Sequence, residues 1–306
     1  MILFAFEEYA AIARAARFWE EHVPHGRFKT ARFENRELHI AVDTPVEGEH
    51  CVVMGSIAPP DEQLLTTSLL IHTLKKEGAT KVTAFLPYLA YARHDDDKTG
   101  QSMALAWAGS LLKASGCDQI ITVDVHSEKA KQLLDMPLIS LSPAGIFAEA
   151  ITQHELSHAT VVAPDEGAIK RCETVLAAAG MTHHKVPYFT KHRIETGIIH
   201  AGPIGNVGSQ VLLVDDILDT AGTLLSACER LSKARLDKID VMVTHGLFTG
   251  TRWTDLFRLG VRRIFCTDSV PAPRGVAGYP VVRLSIIPLI AKEMLAIDNA
   301  VAVIPR

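Results

Sequence analysis

Short, continuously apolar runs recur along this chain, and each is followed by a segment of helical periodicity. The runs lie at 51–54, 81–86, 119–123, 160–163, 210–214, 238–243 and 263–266. Helical spacing marks 63–77, 103–114, 168–179 and 224–234. A strand that is apolar throughout must be covered on both faces, and parallel sheets are the structures so covered. Strands alternating with helices therefore predict an α/β protein built on parallel sheets. Its 306 residues suggest about two domains. The halves echo each other: "VVMGSIAPPDEQ", a helix and "GATKVTAFLPY" compare with "VVAPDEGAIK", a helix and "GMTHHKVPYF". Two similar domains are expected, 1–141 and 142–285. A closing helix over 286–306 has no strand after it and is expected to pack back on the first.

The net charge of −4, with acids and bases well mixed, argues against a protein held on nucleic acid by charge. The five cysteines show no C-x-x-C pairing and read as thiols of a reducing cytoplasm. Glu7 and Glu8 interrupt the opening apolar stretch too early for a signal peptide. No stretch approaches the ~20 apolar residues of a membrane span.

The chemistry concentrates in "LLVDDILDTAGT", 212–223. An apolar strand is expected to end on Asp215 and Asp216, and a helix opens after Asp219, Thr220, Ala221, Gly222 and Thr223. Ligands of parallel sheets bind where strands give way to helices. Backbone N–H groups of a small-residue turn, helped by the helix dipole, hold a phosphate without a lysine. Asp215 and Asp216 would repel that phosphate, so they suit sugar hydroxyls or a hydrated Mg²⁺. A solvated loop with an Asp cap is the plainer alternative.

This loop resembles the ribose-5-phosphate loop of the type I phosphoribosyltransferase fold, and the chain from about Phe33 to Ile297 is similar to the ribose-phosphate diphosphokinase family. The resemblance implies an α/β fold of two similar domains, each a mainly parallel sheet flanked by helices. It implies transfer of the β,γ-diphosphoryl group of ATP to the C1 hydroxyl of ribose 5-phosphate. Mg²⁺ would be the cofactor and ATP the co-substrate. The first domain would be the ATP side and the second the ribose-5-phosphate side, with its ligand at Asp215, Asp216 and Asp219 to Thr223. A homo-oligomer is implied, built on dimers and extending to hexamers or smaller assemblies, with no nucleic-acid or membrane partner.

Further motifs carry the resemblance. "FENRE" (33–37) is similar to a segment that meets adenine from a neighbouring subunit, which implies ATP-binding roles for Phe33, Asn35 and Glu37. A plain strand edge is the other reading. "PYLAYARHDDD" (87–97) implies that Arg93, His94 and Asp95 face ATP, a guanidinium fork being suited to phosphate oxygens. Asp96 and Asp97 replace the family's basic residues there. "TVDVHSEKA" (122–130) implies His126 as a metal ligand with Asp124 beside it, and "VVAPDEGAIKR" (161–171) implies Asp165 as a second ligand. Gly167 is expected to allow a tight backbone turn. Asp165 is equally readable as a helix cap.

"FTKHRIETG" (189–197) holds Lys191 and Arg193, a K-x-R pair that begins a mobile catalytic loop in the family. Two cations there would neutralise charge developing on the transferred group; a basic surface strand is the plainer alternative. "THGLFTG" (244–250) matches a T-H-G stretch, where His245 is readable as structural or functional. Alternatives to the main function are a diphosphokinase for another sugar phosphate and a non-catalytic regulatory paralogue.

Overall fold

The computed structural model describes residues 1–15, 23–93, 99–127, 129–181, 185–194, 197–233, 236, 238–271 and 275–302. For 191–194, 197–200, 295 and 297–302 it describes the backbone alone. The chain divides into two compact units: Met1–Leu141 with the segment from Ile287, and Ser142–Ile286.

Unit 1 runs β1 (Ile2–Ala5), α1 (Glu7–Ala15), β2 (Phe28–Arg32), β3 (Leu38–Val42), β4 (His50–Met54), α2 (Glu62–Lys76), β5 (Lys81–Phe85), α3 (Ala104–Ala114), β6 (Gln119–Val123), α4 (Ala130–Leu133) and β7 (Leu138–Leu141). Unit 2 continues with α5 (Ala144–Gln153), β8 (Thr160–Val162), α6 (Ile169–Ala178), β9 (Tyr188–Ile194), β10 (Gly197–Ile204), β11 (Gln210–Leu218), α7 (Gly222–Leu231), β12 (Lys238–Gly246), α8 (Asp255–Arg258), β13 (Val261–Thr267) and β14 (Val281–Leu284). The last helix, α9 (Ile287–Ala302), belongs to unit 1. No described helix is long and apolar enough to cross a membrane.

Each unit is organised around a five-stranded sheet whose described pairings are all parallel. The orders are β1-β4-β5-β6-β7 and β8-β11-β12-β13-β14, chain order in both. Each unit also inserts an antiparallel hairpin after its first strand, β2–β3 in one and β9–β10 in the other. The halves thus share a topology, but the sequence echo is out of step with it: the echo pairs β4 with β8, whereas by sheet order β8 corresponds to β1 and β4 to β11.

Burial explains which strands were legible. Every residue of β4 is buried, as are nearly all of β5, β6, β11 and β12, so both faces of these strands are covered. The helices show the complementary pattern. In α3 the buried residues are Leu105, Ala108, Gly109 and Leu112, a single stripe at helical spacing. Gly109 is needed there, because a Cβ would lie 2.4 Å from the Leu134 side chain. In α7 the stripe is Leu224, Leu225, Ala227, Cys228 and Leu231, packed on Leu213, Val241 and Leu256.

Two expected boundaries differ. β11 does not stop at Val214 but continues to Leu218, and β12 continues to Gly246. The aspartates do not end the strand because β12 keeps supplying ladder partners, with Asp215 opposite Val243 and Leu218 opposite Gly246. The edge strands β1, β7 and β14 and both hairpins were not anticipated. Four residues or fewer, or strands broken by charge, leave too little periodicity to read.

Two buried polar groups report on stability. Asp240 is almost fully buried on β12, where Arg262 and Arg263 close on its two carboxyl oxygens at 2.5 and 3.0 Å. Such a paired buried charge is tolerated, whereas a lone one would be strongly destabilising. His50 is buried at the start of β4, with Nε2 2.9 Å from the Thr83 hydroxyl. Its Nδ1 has no hydrogen-bond partner among the described residues. Burial, then the charges of Lys81 and the N-terminus, push its pKa down to about 4.

Between pH 6.5 and about 4 an unfolded His50 takes a proton that the folded one refuses, so the folded state loses stability as pH falls through that window. Chemical denaturation from pH 7 to pH 4 should show this loss, and His50→Gln should flatten the slope; an unchanged slope would contradict the assignment.

Candidate functional site

The acidic turn lies in unit 2, where β11 outlasts its neighbour. β8 pairs with β11 only from Val211 to Leu213, so from Val214 onward β11 has a ladder on the β12 side alone. Asp215 and Asp216 sit on that projecting stretch, and both are buried. The Asp216 N–H donates to Asp215 Oδ1 at 3.0 Å. Arg171, on α6, brings its guanidinium 3.7 Å from Asp216 Oδ2. Asp165 stands at the end of β8 and accepts a bond from the Ala168 N–H at 3.3 Å, capping a turn of 3₁₀ helix ahead of α6. The cap reading of Asp165 is therefore met, and its charge also acts on the neighbouring Asp215.

The result is a carboxylate group held against its electrostatic preference. Burial first, and the Asp216 charge second, push the Asp215 carboxyl well above its ordinary value. Arg171 opposes this rise and Asp165 adds to it. Buried and mutually repelling, these carboxylates favour a cation or hydroxyl donors. Arg171 lay inside a motif the sequence displayed, yet nothing local marked it; its partner is 45 positions away. Neighbouring Cys172 does not offer a nucleophile, since burial raises its thiol far above the range where a thiolate forms.

The turn itself follows directly. Thr220 is exposed, Asp219, Gly222 and Thr223 are half-buried, and Ala221 is buried. Ala221 adopts the left-handed conformation, with φ +66° and ψ +13°. For a residue with a Cβ this costs about 1–2 kcal/mol. The residue before α7 is Ala221, which has no side-chain oxygen to cap the helix, and the positive end of α7 faces the turn. A Cβ added at Gly222 would meet nothing within 4 Å. The cradle is open at the position where a bound anion would need room.

Backbone strain collects around the motifs. The described non-glycine residues with positive φ are Arg36, Tyr91, Asp124, Glu155, Ala221 and Phe248. All but Glu155 fall within the stretches singled out from the sequence. Such conformations persist where surrounding structure enforces them, and they concentrate at working sites. Gly167, by contrast, has no positive φ. Its role is space: a Cβ there would crowd Asp165 Oδ1 at 3.2 Å. His245 is buried at the end of β12, with Nδ1 2.8 Å from the Ser269 hydroxyl, which answers its ambiguity in favour of structure.

The K-x-R pair falls on regular backbone. Lys191 and Arg193 belong to β9, opposite His200 and Ile198 of β10, so the backbone here is the strand of the plainer reading, paired as a hairpin. Their side chains lie outside the described residues. β10 runs against α7, and β9 neighbours the turn that Asp165 caps. The hairpin is thus placed beside both parts of the acidic site.

In unit 1 the other candidates divide into a hairpin tip and a sheet edge. Phe33 to Glu37 connect β2 to β3. The tip is closed by Phe33 N–H to Glu37 O at 3.0 Å and Glu37 N–H to Asn35 Oδ1 at 3.1 Å. Asn35 therefore spends its carbonyl on the turn. The Phe33 ring is 56% exposed, 5.2 Å from that of His39. Arg93 lies in the segment leaving β5, and Asp124 and His126 follow β6, the strand paired with β5. Arg93 and His126 are exposed. Tyr91 donates its hydroxyl to Asp61 Oδ1 at 2.9 Å, which steadies the segment carrying Arg93. His94, Asp95, Asp96 and Asp97 lie outside the described residues. No three His, Cys, Asp or Glu side chains among the described residues gather as a metal cluster, and His126 and Asp165 belong to different units.

Comparison with known proteins bears on these observations. Residues 2–116 match the family model for the N-terminal domain of ribose phosphate pyrophosphokinase, and residues 129–252 match the phosphoribosyl transferase domain. The chain belongs to the ribose-phosphate pyrophosphokinase family. A ribose-phosphate pyrophosphokinase of Methanothermobacter thermautotrophicus is 30% identical over 87% of this chain and 90% of its own length. One from Bifidobacterium longum is 30% identical over 88% of this chain and 82% of that one. The crystal structure of phosphoribosylpyrophosphate synthetase from Mycobacterium smegmatis aligns with a TM-score of 0.84 at 25% identity, covering 98% of this chain and 99% of that chain. The type I phosphoribosyltransferase-like fold expected from the motifs is therefore present.

The crowded carboxylates predict a trade between stability and function. Asp215→Asn keeps the oxygen that accepts the Asp216 N–H but removes a buried charge, so the ligand-free protein should melt higher at neutral pH. Turnover should fall about a hundredfold or more. A variant that melts lower, or that keeps its turnover, would contradict this account.

Proposed function

We propose that this protein is a ribose-phosphate diphosphokinase, moving the β,γ-diphosphoryl group of ATP to the C1 hydroxyl of ribose 5-phosphate. The products are phosphoribosyl pyrophosphate and AMP. The observation that carries the reading is the left-handed small-residue turn that opens α7 shortly after two buried carboxylates. An anion and a polyol are the two chemistries this geometry accepts side by side, and a sugar phosphate is both.

Each role follows from placement. The 5-phosphate of the sugar sits against Asp219, Thr220, Ala221, Gly222 and Thr223, bound by backbone N–H groups and the dipole of α7. Asp215 and Asp216 accept bonds from the ribose 2- and 3-hydroxyls, which relieves their crowding without removing charge from water a second time. ATP binds in unit 1, with Phe33 stacking on adenine, Asn35 and Glu37 at the base edge, and Arg93, His94 and Asp95 at the nucleotide. The exposed, unstacked face of Phe33 at a hairpin tip favours a neighbouring subunit's nucleotide, so a dimer-based homo-oligomer is the working assembly.

Magnesium suits the donor set. A pair of buried, mutually repelling carboxylates favours a cation, and a hard one that retains waters and phosphate oxygens needs few protein ligands. Asp165, beside that pair, is a candidate ligand, and a bound Mg²⁺ would neutralise the phosphate charge of ATP. The C1 oxygen forms a bond to the β-phosphorus as the bond from that phosphorus to the α-bridging oxygen breaks. AMP carries away that oxygen, and the hydroxyl proton passes to solvent. Lys191 and Arg193 neutralise charge growing on the oxygens in flight. Positioning and electrostatics supply the rate, with no covalent intermediate. The described cysteines are all buried thiols, which supports a cytoplasmic setting.

A product assay tests the reading: ATP and ribose 5-phosphate with Mg²⁺ should yield AMP and the diphosphorylated sugar in equal amounts, and formation of ADP or no product would refute it. Lys191→Ala should lower turnover about a hundredfold without moving the melting temperature. Gly222→Ala should fold normally, since its Cβ meets nothing, yet raise the KM for ribose 5-phosphate by about tenfold or more. An unchanged KM would place the sugar phosphate elsewhere.

A further inference from the structure

The turn that follows β11 does not hold its own shape. The Leu218 carbonyl accepts bonds from the N–H groups of Leu247 at 2.8 Å and Phe248 at 3.1 Å, and the Asp219 carbonyl accepts from Thr249 at 3.2 Å. Three consecutive donors beyond the end of β12 thus grip the first residues of the acidic turn. That gripping run is itself unusual. Phe248 has φ +51°, and Gly250, two residues on, has φ +69°. Gly250 adopts its conformation freely, but Phe248 carries a Cβ and a ring, so surrounding structure must hold it.

Trp253 is placed to do so. Its indole Nε1–H donates to the Gly250 carbonyl at 3.1 Å, closing the bend at the far end of the run. Its ring meets the Phe248 ring edge to face, with centroids 4.9 Å apart at 69°. The Phe248 ring is pressed from the other side by Gly246, where a Cβ would come within 2.4 Å of it. Behind the indole stand Tyr279 at 4.9 Å and Phe257 at 6.2 Å, which stack on each other at 16°. Trp253 is 3% exposed and shares its core with Leu218, Ala221 and Leu224, the residues that flank and underlie the turn.

We infer that Trp253 is a positioning residue for the sugar-phosphate turn, acting through the Phe248–Gly250 run and through its indole N–H in particular. A core position alone would be met by any large apolar ring. The bond to Gly250 is what a hydrocarbon cannot replace, and it fixes the run whose N–H groups hold Leu218 and Asp219. This inference rests on the proposal that ribose 5-phosphate binds at that turn.

The experiment compares Trp253→Phe with Phe257→Leu in the full-length protein. Trp253→Phe keeps a ring against Phe248 but loses the donor; Phe257→Leu thins the same aromatic core and leaves the donor in place. With Trp253→Phe the KM for ribose 5-phosphate should rise about tenfold while the KM for ATP stays within about twofold. With Phe257→Leu both should stay near wild type, even if the melting temperature falls. Equal rises in both KM values, an unchanged KM for ribose 5-phosphate, or the same rise in Phe257→Leu would overturn the inference. Should Trp253→Phe fail to fold, wild-type protein labelled with 5-fluorotryptophan decides: the Trp253 fluorine resonance should shift on titration with ribose 5-phosphate without ATP. A Trp253 resonance that stays fixed while ribose 5-phosphate binds also overturns it. Wild type that turns over ribose 5-phosphate beside an unaffected Trp253→Phe removes this inference alone; wild type that forms no AMP from that sugar removes the functional reading as well.

Discussion

The ladder between β11 and β12 is the constraint on which this structure rests. It runs from Gln210 opposite Lys238 to Leu218 opposite Gly246, well past the point where β8 ends. That overhang gives Asp215 and Asp216 a rigid backbone and one open flank. It also delivers the N–H groups of Leu247 to Thr249 to the turn that follows. Without the overhang the carboxylates would lie on a loop and separate, because two negative charges in a buried setting repel. Rigid strand geometry is what keeps them together until a ligand satisfies them.

The same logic explains where strain is found. Ala221 and Phe248 both occupy the left-handed region, one in the acidic turn and the other in the run that holds it. Each would relax if released. They are retained because β11, β12 and a buried aromatic group fix the backbone from outside. Stability given up at the turn is recovered in the core beneath α7, where Leu224, Leu225 and Cys228 pack against the sheet.

Particular residues show how far sequence reading reached. The interior strands were legible because both their faces are covered, so apolar residues run on without a break. The edge strand β14 is only half-buried, and β2 is mostly exposed, so neither carries that mark. The end of β11 was misplaced by four residues, since a pair of aspartates looks like a strand terminus when its partner strand is unseen. Asp215 and Asp216 were singled out by residue type at a strand end, and Asp165 by the resemblance of its motif. Arg171, which moderates their charge, was not, because its meaning depends on Asp216 lying beside it. Trp253 gave no signal either: an aromatic residue three positions after a glycine has no pattern of its own.

By itself, the sequence determined the α/β architecture, the recurrence of one plan in two halves, and the turn at which carboxylates meet a helix start. These follow from local rules: apolar continuity, helical spacing and the small residues of an anion-binding turn act over a few positions. Only the tertiary structure decided that β11 overhangs β8, that Arg171 faces Asp216, that the K-x-R pair stands on a hairpin beside α7, and that an aromatic group braces the turn. Those are contacts between residues far apart in the chain. They are set by the order and register of strands, which no local pattern of side chains encodes.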